Sequence, residues 1–385
     1  MNAASGQSTP ASVGIVEKWY YQFADPPDTL VLESGAQLGP ITVAYETYGR
    51  LNQQRDNAIL VAHAFSGDSH AAGHYPGESA DDKAGWWDFL IGPGKGLDTD
   101  RYFIVCANIL GSCMGTTGPS SLNPATGRPY GLNFPMVTIG DMVETQKRLL
   151  DHLGIDRLLT VIGGSVGGMQ ALEWCRRYPQ IVRSAIPIAT TMRHSALAIA
   201  FNEIARQAIM ADPNWQHGDY YNGSNRPDLG LAVARMVGHV TYLSDEAMRR
   251  KFGRRLQDKS DFSFGFDADF QVESYLRHQG SKFVRRFDAN SLLYITRAAD
   301  YFDMTQYPAP AEAGPCNTKY LVISYSSDWL YPTYQAKELV RRLKRSGRDV
   351  SFCEIEADCG HDAFLIPDER LTNLIRGFLH GVART

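Results

Sequence analysis

Three residues far apart in the chain, Ser165, Asp328 and His361, have the types and the order of a nucleophile, an orienting acid and a base. Ser165 stands in Gly163-Gly164-Ser165-Val166-Gly167, within LLTVIGGSVGGMQALEW at 158–174. An apolar run precedes it, and a helical pattern with Leu172 and Cys175 on its inner side follows, ended by Pro179. A serine on so sharp a strand-to-helix turn presents its hydroxyl at the carboxyl edge of a sheet, with the positive end of the helix beside it. A hydroxyl is a weak nucleophile and needs a base that is itself held in the right tautomer. Asp328, in SYSSDWLYP, follows the apolar run KYLVIS, and His361, in ADCGHDAFL, follows the next such run. In that arrangement His361 would take the Ser165 proton and return it to the leaving group, while Asp328 orients the imidazole. Taken singly, Asp328 suits a helix cap or turn and His361 suits any loop. Their order and their common position after strands point to a triad. Asp362, Asp358 and Glu356 are competing acids, but as sequence neighbours of His361 they are poorly placed to orient its ring.

The tetrahedral intermediate of acyl transfer needs two N–H donors. One is expected from Val166, the residue after the nucleophile, and one from the loop that follows an early strand. In AILVAHAFSGDSH that loop is His63-Ala64-Phe65-Ser66-Gly67, and Phe65 N–H is the expected donor. His63 reads as a brace for the loop rather than a base. His70 and His74 lie in a polar stretch with no assigned role.

The elements that must carry these residues alternate. Strands are expected at Ile41–Tyr48, Ala58–Ala62, Tyr102–Asn108, Leu158–Ile162, Ser184–Ala189, Lys319–Ser324 and Ser351–Ile355. Most are continuous apolar runs, as strands covered on both faces are. Ile41–Tyr48 alternates instead, which suits an edge or antiparallel strand. Helices fit between them: Asp141–Leu153, a helix through Ala336, Leu339, Val340 and Leu343 closed near Gly347, and one through Leu371, Leu374, Ile375, Phe378 and Leu379. The fold class is α/β, an α/β-hydrolase fold with a mostly parallel central sheet flanked by helices. Between Met192 and Tyr307 the β rhythm stops, and helical patterns such as His194–Met210, Asp228–Val240 and Asp245–Phe252 take over. The expected organisation is a disordered tail at 1–15, a core at 16–191 and 308–385, and a helical lid insertion at 192–307.

Composition narrows the class. With 44% hydrophobic and 21% charged residues among 385, the chain can bury a sizeable core. A net charge of -4 without basic clustering argues against nucleic-acid or membrane-surface partners. No run approaches the roughly 20 apolar residues of a membrane span, and the start, MNAASGQSTPASVG, lacks the pattern of a secretory signal. A cytoplasmic location is expected. The six cysteines are scattered, so reduced thiols are expected, and no metal-ligand spacing is present.

The blocks VAYETYGRLN, HAFSGDSHAAG, GWWDFLIGPGKGLDTDRYFIVCANILGSCMGTTGPSSLNPATGRPYG, FPMVTIGDMV, GGSVGGMQALEW, ARMVGHVTYLSD, YSSDWLYP and GHDAFL occur in an order that resembles homoserine O-acyltransferases, above all the homoserine O-acetyltransferases of methionine biosynthesis. The resemblance runs from about Asp28 to Val382, and GTTGPSSLNP is more specific than the turn around Ser165. It implies a ping-pong reaction in which acetyl-CoA, a co-substrate rather than a bound cofactor, acylates Ser165 and L-homoserine takes the acyl group. It implies Ser165, Asp328 and His361 as the triad, and Arg235, Tyr242 and Asp362 as substrate-binding residues, with Asp362 on the amine and Arg235 suited to a carboxylate. It also implies a homodimer paired through the lid helices. Val166 departs from the family pattern, where methionine is frequent, and this leaves acetyl versus succinyl open, although GTTGPSSLNP resembles the acetyl branch more closely; serine is a further possible acceptor. A serine hydrolase would use the same triad. A non-enzymatic binding protein of this fold would be expected to have lost part of it.

Overall fold

The structure, a computed structural model, describes residues 12–78, 82–306 and 317–384. Most of the expected tail therefore lies outside the described residues, as do Cys316 and the expected junction at 307 and 308. Within the described part of that tail, Ile15 bridges His74.

Among the described residues the main sheet has eight strands: β1 Trp19–Phe23, β2 Ile41–Tyr48, β3 Ala58–Ala62, β4 Phe103–Ala107, β5 Thr160–Gly164, β6 Ser184–Ile188, β7 Lys319–Tyr325 and β8 Asp349–Ile355. Their order across the sheet is β1-β2-β4-β3-β5-β6-β7-β8. Neighbours from β4 to β8 run parallel, and β2 is antiparallel to both β1 and β4. The alternation in Ile41–Tyr48 thus reflects antiparallel pairing, while the edge position belongs to β1, whose half-exposed WYYQF gave no strand signal. β5 starts two residues later than expected and keeps Gly163 and Gly164 in the ladder, opposite Pro187 and Ile188.

Successive residues of a strand face opposite sides of a sheet. Accordingly Leu60 and Val161 enter one apolar cluster, and Ile59, Val61 and Ile162 the other. Every residue of β3, β5 and β6 is buried, which is why these strands read as unbroken apolar runs. On the first side lie α1 Ile139–His152, α2 Val166–Arg177 and, near the end of the chain, α8 Thr333–Arg345; on the other lies α9 Glu369–Ala383. α1 starts on a reciprocal cap, with Asp141 N–H donating to Thr138 Oγ1 and Thr138 N–H to Asp141 Oδ2.

Between β6 and β7 the chain adds, among the described residues, α3 Ala196–Met210, α4 Asp228–Tyr242, α5 Asp245–Lys251, α6 Gln271–Val284 and α7 Ala289–Tyr301, and no strand of the main sheet. The two ends of this insertion meet at its base. Arg193 bridges Asp303, and Met304 N–H donates to Met192 O.

Candidate active site

Ser165 sits between β5 and α2 with φ 58° and ψ −122°, a left-handed conformation that a non-glycine residue rarely adopts. The surrounding packing holds it there. A Cβ on Gly167 would overlap the Ala62 carbonyl oxygen, so the first turn of α2 can lie flat against β3 only with glycine at that position.

The loops after β7 and β8 bring the other two residues to this turn. His361 Nε2 lies 2.9 Å from Ser165 Oγ, and His361 Nδ1 lies 2.8 Å from Asp328 Oδ2. All three side chains are buried. Asp328 also closes its own turn: Oδ1 accepts from the N–H groups of Leu330 and Tyr331 at 3.0 and 2.9 Å. The turn role and the orienting role coincide in one carboxylate. Burial alone would lower the His361 pKa, but the Asp328 charge and hydrogen bond, with a smaller contribution from Asp362, leave it above the ordinary histidine value. The competing acids are engaged or displaced. Asp358 pairs with Arg250, and Glu356 is exposed to solvent. Gly360, at φ 82°, brings the histidine loop under the end of α4, where a Cβ would lie 2.6 Å from Tyr242 O.

Phe65 and Val166 both line the cavity above Ser165, and neither backbone N–H donates to another described residue. His63 is the brace it was read to be. Its Nε2 accepts from Ile109 N–H at 3.1 Å, so Nδ1 carries the proton and donates to Ala64 O at 2.8 Å. Burial lowers its pKa and keeps it neutral. The loop has a second support that sequence reasoning missed. The fully buried Glu46 accepts from Tyr48, Ser69, His70 and Tyr75, gathering both ends of the 69–75 stretch.

The cavity, of about 70 Å³, runs from Ser165 up between α3, α4 and α7. Its walls mix apolar side chains, among them Ala198, Phe201, Val237 and Leu292, with the polar groups of His194, Asn202, Thr241 and Thr296, and its lining includes no Lys or Arg. Tyr242 is part of the lining, with its ring 6.0 Å from that of His361. Arg235 and Asp362 stand outside the lining. Arg235 lies over the rings of Phe283 and Tyr242 at 4.7 and 5.7 Å and donates to Ser66 Oγ at 3.3 Å. Burial raises the Asp362 pKa, against the opposing charges of His361 and Arg235. Asp362, next in sequence to His361, and Arg235, packed on the Tyr242 ring, thus stand near the cavity without lining it.

Also unforeseen is a second buried relay. Tyr331 Oη is 2.6 Å from His194 Nε2, His194 Nδ1 is 2.9 Å from Asp300 Oδ1, and Asp300 Oδ2 is 2.7 Å from Arg206 Nη1. Its one sequence signal is a tyrosine three residues after the triad acid.

Five cysteines, Cys106, Cys113, Cys175, Cys353 and Cys359, are free thiols. Among the described residues no cluster of His, Cys, Asp or Glu is placed to hold a metal, and no helix is long and apolar enough to cross a membrane.

A strained serine after β5, an acid after β7 and a histidine after β8, on this strand order, define the class, and the model of the alpha/beta hydrolase fold family matches residues 57–368. A homoserine O-acetyltransferase of Desulfotalea psychrophila is 71% identical over 376 residues, covering 96% of this chain and 96% of that one. One from Solidesulfovibrio magneticus is 62% identical over 373 residues, covering 96% and 93%. The crystal structure of homoserine O-acetyltransferase from Bacillus anthracis superposes with a TM-score of 0.87 at 31% identity, covering 95% of this chain and 98% of that one. Esterase E22 superposes with a TM-score of 0.86 at 33% identity, covering 95% and 100%. The chain belongs to the homoserine O-acetyltransferase family of α/β-hydrolase-fold proteins, and it is an acyltransferase.

Proposed function

We propose that this enzyme transfers the acetyl group of acetyl-CoA to the side-chain hydroxyl of L-homoserine, by a ping-pong route through acyl-Ser165, as a step of methionine biosynthesis. The observation that carries the reading is the continuous Ser165–His361–Asp328 hydrogen-bond chain at the foot of a cavity walled by the inserted helices.

Ser165 Oγ attacks the thioester carbonyl as its proton passes to His361 Nε2. The oxyanion forms against the N–H groups of Phe65 and Val166, aided by the amino end of α2. The intermediate collapses, the C–S bond breaks, and His361 returns the proton to the CoA thiolate. The homoserine hydroxyl then attacks the acyl-enzyme, giving its proton to His361. Collapse breaks the bond to Ser165 Oγ, which recovers that proton. Arg235 and Asp362 hold the carboxylate and amine of the amino acid, and Tyr242 packs beside them. Enclosure of Ser165 beneath the helices limits access of water to the acyl-enzyme, the condition for transfer to outrun hydrolysis.

The cavity favours acetyl over succinyl. A succinyl group would bring a carboxylate into a lining without Lys or Arg, and a buried carboxylate without a cation is strongly disfavoured. Likeness to esterase E22 supports a second reading, hydrolysis by the same triad. Rates of CoA release from acetyl-CoA and succinyl-CoA, each with L-homoserine, L-serine or neither, separate these. Release from acetyl-CoA should depend on homoserine, and equal release without an acceptor would leave a hydrolase.

The partner is a second copy of the chain. Leu197, Ile199 and Ile204 on α3 and Leu229, Val233 and Val240 on α4 are exposed apolar side chains of the insertion, and pairing two insertions would cover them. Sedimentation of wild type against Leu229→Asp should show a dimer in the first and a monomer in the second; a monomeric wild type contradicts the pairing. The location proposed is the cytoplasm.

A further inference from the structure

A second pocket opens beside the first, where the insertion meets the loop after β4. Its volume is about 350 Å³, within the range of small-molecule sites. Arg226, which precedes α4, and Arg285 and Arg286, which follow α6, line it together with Cys113, Tyr221 and Asp288. Three guanidinium groups thus share one pocket on a chain whose net charge is -4. The acid in the lining is engaged elsewhere: Asp288 is buried and accepts from Tyr220, Tyr221 and the Ser291 N–H. Arg226 has the Asp228 carboxylate 3.9 Å away. Among the described residues Arg285 and Arg286 hydrogen-bond to main-chain carbonyls and to no carboxylate, Nε of the first to Ser281 O at 3.3 Å and Nη2 of the second to Ser66 O. All three arginines are exposed, so most of their N–H donors are left for solvent or for an anion.

This pocket adjoins the cavity above Ser165. Phe65 lines the cavity, Phe287 lines the second pocket, and their rings stack with centroids 6.3 Å apart. Ser66, the residue after Phe65, receives Arg286 on its carbonyl and Arg235 on its hydroxyl. One aromatic pair and one loop therefore stand between the cavity and the arginines. The cavity itself, of about 70 Å³ and without Lys or Arg in its lining, suits an acyl group and the end of a thioester arm. Coenzyme A is much larger and carries its negative charge at the far end, on a diphosphate and a 3′-phosphate. That end has to lie outside the cavity. Arginine holds such groups well, because its planar fork of donors matches the phosphate oxygens.

We propose that Arg226, Arg285 and Arg286 form the subsite for the phosphate groups of the acyl donor, with the pantetheine arm passing beside the Phe65–Phe287 pair to Ser165. The ligand chemistry is a phosphate ester on a nucleotide. The inference rests on the reading of acetyl-CoA as the donor. Because Arg286 also holds Ser66, its removal would disturb the loop of the expected oxyanion donor, so Arg226 and Arg285 are the residues to change.

The test compares acetyl-CoA with S-acetylpantetheine, which has the same thioester and arm without the nucleotide, on wild type, Arg285→Gln and the double variant Arg226→Gln/Arg285→Gln. KM for acetyl-CoA should rise about tenfold in the single variant and about 100-fold in the double, the scale of one and two charge-assisted hydrogen bonds, with kcat within about threefold of wild type. KM for S-acetylpantetheine should stay within about twofold in both variants. Added salt should raise the wild-type KM for acetyl-CoA, and raise it less in the double variant. Calorimetry on the free enzyme with adenosine 3′,5′-bisphosphate and with inorganic phosphate reads binding without turnover. Wild type should bind the nucleotide more than about tenfold more tightly than phosphate, and the double variant should lose that binding. Equal losses with both thioesters would overturn the proposal, as would inorganic phosphate binding as tightly as the nucleotide. Wild type that consumes neither thioester would overturn the donor reading and the subsite with it, whereas turnover of acetyl-CoA at an unchanged KM in the double variant would overturn the subsite alone.

Discussion

Ser165, Asp328 and His361 stand on tight loops packed onto the sheet, whereas the cavity above them is walled by helices that add no strand. The loops carry φ 58° at Ser165, a carboxylate that closes a turn and orients a ring at once, and a glycine that must approach backbone at Gly360. The insertion contributes apolar side chains, Tyr242, Arg235 and the His194–Asp300 pair. The difference teaches a division of labour. On the proposed function, the core would make Ser165 reactive, and the insertion would decide what reaches it and what leaves with the acyl group. Esterase E22 shares the fold, so the line between hydrolysis and transfer has to be drawn by side chains rather than by architecture.

Variants of the two regions should therefore fail differently. Ser165→Ala should abolish both half-reactions, a loss of about 10⁶-fold by comparison with other serine enzymes, with a thermal midpoint close to wild type. Acyl transfer persisting in that variant would break the division at its root. Asp328→Asn should fold yet lose about 10⁴-fold, again in both half-reactions, because the amide would favour the wrong imidazole tautomer. Arg235→Ala should separate the halves. Transfer to homoserine should fall about 100-fold, the size of a lost charge-assisted pair, while acylation by acetyl-CoA changes by less than about threefold. Equal losses in both halves would place Arg235 with the core machinery.

The smallest expected effect is on pH. Asp328 holds the His361 pKa above its ordinary value despite burial, and only the neutral ring can accept the Ser165 proton. Activity should therefore rise with pH through a midpoint above about 6.5. Residual activity of Asp328→Asn should show that limb at lower pH, since only the smaller effect of Asp362 then opposes burial. A limb that stays in place would mean that another group sets it.

What could be read from the sequence follows the same division. The strand–turn–helix around Ser165 was legible because β5 and β3 are buried on both faces and the turn needs its glycines. Asp328 and His361 were legible because each follows a strand, in the order this fold uses. β1 was not, because WYYQF is half exposed and takes its strand form from pairing with β2. Nor was the Tyr331 series, whose partners are separated by 137, 106 and 94 positions and meet only once the insertion folds back over the core. Nothing local in a histidine before a helix or an aspartate near the end of another marks them as a pair. Glu46 was hidden for a similar reason, sitting in an alternating strand and satisfied by a distant loop.

The most direct test of the account is to mix the enzyme with acetyl-CoA alone, quench, and map the modified residue by peptide mass spectrometry, then repeat with L-homoserine added before the quench. The account predicts one acetyl group per chain, on Ser165, that disappears as O-acetylhomoserine forms. Product formation at the normal rate with Ser165 never acetylated would contradict it.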